Sequence, residues 1–320
     1  MKYLLPLLTV LTSIASPIAQ AEDPTWFEVE VAVFTRPDAS GEIWDQDQSP
    51  IALGNSRDLI GPVLMPDLSQ FEAALSECNA NEWLMDPQGC QERQDNRQIQ
   101  MPAQLPAVAV AEKTGNPLEG EPFLLTRDQL QFSDTLAQLA RKPGYSVLLH
   151  TGWQMPVYGR RSAQPFALYG GKNFAEQFQS NGHLKPLEDD LLSQFDFFTG
   201  FAPQSRQEGP LWQLNGKLKI YLDHFLFIEA RLDLREEGER VWSVEAIESD
   251  PDALQADAAE VEQREPFLLT IPLDQNRRVR SREIHYFDHP KMGLVVQIRR
   301  MEQPQAAQPS EGETVTQTNP

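Results

Sequence analysis

The sequence predicts an α+β fold built mainly on antiparallel sheet, and three observations carry that prediction. Apolar side chains alternate with polar ones at a period of two, most clearly in Trp26–Phe34 and Leu214–Leu234. One well-marked helix, opening at Thr126, runs directly into a strand at Tyr145. The last regular stretch reads as a C-terminal β-hairpin, with arms Arg278–Phe287 and Leu294–Arg300 around the turn Asp288-His289-Pro290-Lys291-Met292-Gly293. Strand, helix and strand form a β…α-β unit, with long irregular insertions around it.

In the first strand Phe27, Val29, Val31 and Val33 point one way and Glu28 and Glu30 the other, so one face is expected to be buried. Residues 37–122 are rich in Pro, Asn, Asp and Gln and poor in periodicity, which predicts largely irregular structure with a short helix near Leu68–Ser76. Thr126 and Gln129 have the spacing of a capping box, and Leu130, Leu136 and Leu139 supply the apolar positions of the helix. Lys142-Pro143-Gly144 ends it.

The strand Tyr145–Trp153 is apolar on both faces near its middle, which places it inside a sheet. Pro165–Tyr169 reads as a Pro-led edge strand with Gly170-Gly171 as its turn, and a helix is expected around Leu187–Phe195. Leu214–Leu234 changes phase at Asp223-His224, as two strands or one bulged strand would. Val241–Ile247 is a further strand, and residues 248–265 read as a solvated acidic loop.

The two ends have their own signatures. Met1-Lys2, an apolar run over residues 3–18 and Ala19-Gln20-Ala21 predict a cleavable secretory signal covering residues 1–21. No Cys follows that run, which excludes a lipid anchor there, and a periplasmic location in a Gram-negative cell is expected. Residues 303–320 are rich in Gln, Pro, Thr and Glu and predict a disordered tail. Residues 22–302 then form a single α+β domain.

The chain has 27 basic and 47 acidic residues, a net charge of −20. Nucleic acid and anionic lipid both demand basic surface, so neither is an expected partner, and no membrane insertion of the mature chain is expected. Cys78 and Cys90 are the only cysteines and have polar neighbours; in an oxidising compartment they read as one disulfide closing a small surface loop.

The sequence has no G-x-S-x-G, S-x-x-K, H-E-x-x-H, G-x-G-x-x-G or Walker motif. No catalytic residue, cofactor or metal ligand is therefore assigned. The nearest cluster is Glu283-Ile284-His285-Tyr286-Phe287-Asp288-His289. Metal binding by His285 and His289, hydrogen bonds shaping the turn, and ligand contact are the alternatives. Pro290 pushes His289 out of the α region and favours the turn.

Arginines are dense beside this cluster: Arg277, Arg278, Arg280 and Arg282, then Arg299 and Arg300. Cross-strand pairing with Glu283 and the acidic loop is one account. The other is bidentate recognition of carboxylates, which are abundant in peptidoglycan stem peptides. Trp153 and Gln154 form a second candidate, an indole and an amide suited to a sugar ring, or a tryptophan that closes the core. The candidate ligand residues are thus Trp153, Gln154, Arg278, Arg280, Arg282, His285 and Tyr286.

Three stretches, WFEVEVAVFTR, GYSVLLHTGWQMPV and RRVRSREIHYFDHPKMGLVVQIRR, resemble in order the CsiV family of periplasmic peptidoglycan-binding proteins, with EIHYFDHP…G the most specific. The family often has Arg before Gln-Pro where this chain has Gln154-Met155-Pro156. The resemblance implies a non-catalytic cell-shape factor that binds peptidoglycan and supports cell-wall synthesis by a bifunctional penicillin-binding protein, with that enzyme's outer-membrane lipoprotein activator as a further partner. A periplasmic protein–protein adaptor and a wall hydrolase are the rival readings.

Overall fold

The computed structural model describes residues 24–37, 50–65, 80–90, 101–185, 209–245 and 260–304. In the first sheet β4 (Ser146–Val157) lies between β1 (Thr25–Thr35) and the short β2 (Val108–Ala109), and β3 (Phe123–Leu124) adds to β4. On the other side of β1 come β10 (Met292–Arg300) and then β9 (Ile284–Asp288) at the edge. The second sheet runs β5 (Phe166–Asn173), β6 (Trp212–Asp223), β7 (Phe225–Glu245), β8 (Glu260–Val279). Every pairing of these strands is antiparallel except β2 with β4. The helices α1 (Gly61–Leu64), α2 (Ala80–Met85) and α3 (Ser133–Leu139) are short, so the α+β class holds with little helix.

Alternation makes the core. Val29, Val31 and Val33 of β1 face Trp153 and Leu149 of β4, Val296 of β10 and the inward residues Leu218, Ile228 and Leu232 of the second sheet, and all are buried. Burying each such side chain stabilises the fold by about 1.5–3 kcal/mol. The β9–β10 hairpin closes the first sheet, with a turn at residues 289–291 where the sequence predicts it. His289 Nδ1 accepts from the Lys291 N–H at 3.2 Å, the turn-shaping role among its alternatives.

Several expectations need correction. Glu30 is not on a solvated face: it is 0% exposed, because α3 and Phe132 cover the outer side of β1 together with Ala32 and Phe34. The helix does not open at Thr126. Gln129 Oε1 does accept from the Thr126 N–H at 2.9 Å, but this contact opens a 3-10 turn over Arg127–Gln129. The α-helix begins only at Ser133, because the Glu30 carboxylate draws in the N–H groups of Gln131 and Phe132, both at 2.8 Å.

Gly170-Gly171 is not a turn. The strand β5 continues through it to Asn173 with a register shift, and Gly171 takes the positive φ of 79° that this irregularity requires. Residues 260–265 are not loop but the start of β8, paired with β7 from Glu245↔Glu260 onward. The arm Arg278–Phe287 is not one strand either: β8 ends at Val279 in the second sheet, and β9 starts at Ile284 in the first.

The alternatives at Asp223-His224 resolve to two strands, with His224 at φ 57° in the connection. Gln303 belongs to the fold rather than to the tail, since its side chain bonds both backbone groups of Trp26, at 2.7 and 3.1 Å. The helices expected at 68–76 and 187–195, Cys78, the proposed signal and the residues beyond 304 lie outside the described residues. No described helix is long and apolar enough to cross a membrane.

Candidate functional site

Strand direction brings the sites together. The starts of β1 and β9, the ends of β4, β8 and β10, and the β6–β7 turn all meet at one pole of the two sheets. Arg278, Arg280 and Arg282 stand at that pole. The Arg278 guanidinium lies 4.6 Å from the centre of the Phe225 ring, at the start of β7. Arg160, just beyond β4, lies over Tyr221 at 5.6 Å, and Tyr221 stacks on Phe227 at 5.2 Å. A guanidinium resting on an aromatic face is held in place while its N–H groups stay open to an anion.

The turn between β8 and β9 is fixed by its backbone. The Arg282 N–H donates to Ile298 O at 2.7 Å with Arg282 at φ 72°, and His285 Nε2 sits 2.9 Å from Arg280 O. Arg280 has Glu283 at 3.7 Å, but its side chain is 80% exposed, so this ion pair is weak. The arrangement suits carboxylate binding: an exposed guanidinium can exchange a loose partner for a ligand that fits its fork.

The other predicted residues are elsewhere. Tyr286 is farther along β9 on the outer face of the first sheet, stacked on Phe34 at 6.4 Å. Burial first, and then Asp288, pushes its hydroxyl up from the ordinary tyrosine range, while Arg36 Nη1 donates to it at 3.3 Å. Gln154 is on the same outer face and donates to Glu28 at 3.1 Å. Trp153 is 1% exposed between the sheets, packed on Phe166 at 4.9 Å, so it closes the core, the plainer of its two alternatives.

Arg299 is also on the outer face and is bound rather than available. It donates to Glu28 Oε1 at 2.6 Å, Glu30 Oε2 at 2.5 Å, Gln297 Oε1 at 2.9 Å and Gln129 O at 3.2 Å. Burial alone would raise the Glu30 carboxyl, but His150 Nε2 at 2.9 Å, Arg299 and the Gln131 and Phe132 N–H groups outweigh it and hold the group at about 2. This arginine is paired across strands, but with Glu28 and Glu30 of β1 rather than with the expected Glu283 and acidic loop.

Sequence reasoning missed Arg160, Tyr158 and Phe225. Tyr158-Gly159-Arg160-Arg161 follows a strand buried from Leu148 to Val157, and an aromatic with two arginines at a strand exit was the available signal. The Tyr158 carbonyl accepts from the Leu222 N–H at 2.9 Å, tying this exit to the β6–β7 turn. Tyr158 is 42% exposed and stands where two open hollows meet, sharing Gly120 and Pro156 between them. One, of about 520 Å³, extends toward Trp26 and Gln303; the other, of about 210 Å³, extends toward Ala163 and the Arg57–Glu121 ion pair.

Residues 3–301 match the family model described as "Peptidoglycan-binding protein, CsiV". No curated protein and no solved structure matches the chain.

Proposed function

The chain belongs to the CsiV family of peptidoglycan-binding proteins, and from that premise we propose a non-catalytic periplasmic protein that grips the wall through the arginine pole and supports synthesis there. One observation carries the reading: in a chain of net charge −20, exposed Arg160, Arg278, Arg280 and Arg282 gather at one end of the sheets, two of them laid on aromatic rings. Stem-peptide carboxylates are the wall chemistry that a guanidinium fork recognises. A bifunctional penicillin-binding protein, with its outer-membrane lipoprotein activator, is the partner this reading assigns.

Co-sedimentation with purified sacculi tests it. Wild type is expected in the pellet, and Arg278→Ala with Arg280→Ala is expected to shift it to the supernatant without lowering the melting temperature. Equal sedimentation of the two proteins would return the arginines to a structural role. Release of soluble muropeptides that disappears in His285→Ala would show an enzyme instead. The compartment has its own check: the intact mass of periplasmic protein should begin at Glu22 and lie two hydrogens below the reduced form, with Cys78 bonded to Cys90. The partner is tested by co-purification of the synthase with wild type and with the double arginine variant.

A further inference from the structure

We infer that the two joined hollows around Tyr158 form a glycan groove in which the sugar backbone of peptidoglycan lies, next to the arginines that take its stem peptides. This rests on the wall-binding reading above and adds to it a separate site of different chemistry. The larger hollow, about 520 Å³, is within the range of about 300–1,000 Å³ usual for small-molecule sites. The second hollow shares Gly120, Pro156 and Tyr158 with it, so the two together form one extended open surface of the kind a polymer can lie along.

The lining favours a neutral, ring-shaped ligand. Pro24, Pro117, Leu118 and Pro156 give apolar walls, and the exposed Tyr158 ring gives a flat face at the junction. Pyranose rings have one apolar C–H face suited to such stacking and a rim of hydroxyls for polar neighbours. Glu121 is the carboxylate lining the smaller hollow, and Arg57 neutralises it. A groove without excess negative charge is notable in this chain, and an amphipathic glycan is the wall component that needs no charge partner.

Construction of the groove also supports binding. Gly120 holds φ 76° at the end of the 3-10 turn Pro117–Glu119, and nothing lies within 4 Å of where its side chain would point, so the passage past Tyr158 stays open. The Gln303 amide is spent on Trp26 and Met301, which fixes the far wall. The arginine pole is continuous with the groove through Tyr158 and Leu222. On this reading the lactyl-linked peptides of a glycan in the groove emerge toward the arginine pole.

The test compares full-length mature protein on intact sacculi and on glycan strands stripped of stem peptides by an amidase. Wild type is expected to bind both. Tyr158→Ala should weaken stripped-glycan binding about tenfold, and Tyr158→Phe, which keeps the ring, should not. The Ala variant keeps the backbone bond to Leu222, and an unchanged melting temperature confirms its fold. Arg278→Ala with Arg280→Ala should keep stripped-glycan binding and lose affinity for intact sacculi, in a salt-dependent way. Wild type that binds intact sacculi but not stripped glycan overturns the groove and leaves the wall-binding reading standing. Binding to neither overturns both. A Tyr158→Ala protein that binds stripped glycan like wild type, or an arginine variant that loses it, also overturns the inference.

Discussion

Arg299 and Arg280 flank the same terminal hairpin, yet they do opposite work. Arg299 is 11% exposed at its side chain and donates to four oxygens, two of them from glutamates on β1. Arg280 is 80% exposed and has one loose carboxylate at 3.7 Å. The first is part of the fold, since removing it strips the buried Glu30 and the half-buried Glu28 of their arginine; the second is available to something outside the molecule. A single dense run of arginines thus divides into a clamp and a grip, and the dividing variable is what lies over the sheet face, not the spacing of the charges.

The strongest way to break this comparison is Arg299→Ala. It should cost about 3–5 kcal/mol of stability, because Glu28 and the fully buried Glu30 lose their counter-charge. Denaturant unfolding checks it, and a loss below about 1 kcal/mol would place Arg299 among ordinary surface pairs.

Acid should show the same clamp. Glu30 is held at about 2 against an ordinary 4.5, so its contribution is full above the unfolded value and is lost as pH falls from about 5 toward 2. The shift corresponds to roughly 3 kcal/mol. Stability curves of wild type and Glu30→Gln should converge across that interval, with the variant the less stable at neutral pH. Parallel curves would remove Glu30 as the acid-sensitive group.

Smaller effects sharpen the other side. Arg278→Ala with Arg280→Ala should change stability by less than about 1 kcal/mol, as expected of exposed pairs, while weakening sacculus binding. Smallest of all should be Arg280→Ala alone: a fall in wall affinity of a few-fold that disappears at high salt. A clear loss of melting temperature in either variant would blur the division between clamp and grip.

The architecture was legible wherever one face of a strand meets the core. Period-two alternation located β1 and β6, a doubly apolar run located β4, the hairpin pattern located β10, and the change of phase at Asp223-His224 marked a real turn. It failed where burial does not alternate. Glu30 reads as a solvated residue because its cover, Phe132 and α3, comes a hundred residues later in sequence. The first residues of β8, 260–265, read as loop because Gln263 and Arg264 are exposed and their backbone partner is the charged strand β7.

The candidate site was half legible. Arg278, Arg280 and Arg282 do meet at one pole, but Trp153 reads equally well as binder or core residue until Phe166 is seen against it. Arg299 and Arg300 are adjacent and identical in type, and only the register that sets Arg299 opposite Glu28 separates them. Tyr158 had only the neighbouring arginines at a strand exit to mark it, and its place between the two hollows is visible only in the folded chain.

The pairing of β1 with β10 has a kinetic consequence. β1 is made first and pairs with β10, whose Arg299 follows Glu30 by 269 residues. Until that strand leaves the ribosome, β1 lacks its neighbour on one side, and Glu30 is a carboxylate without its arginine. Closing so long a loop before any of its contacts form is slow, and folds dominated by such pairings fold late. A nascent chain of this design resists premature folding through its own order of synthesis.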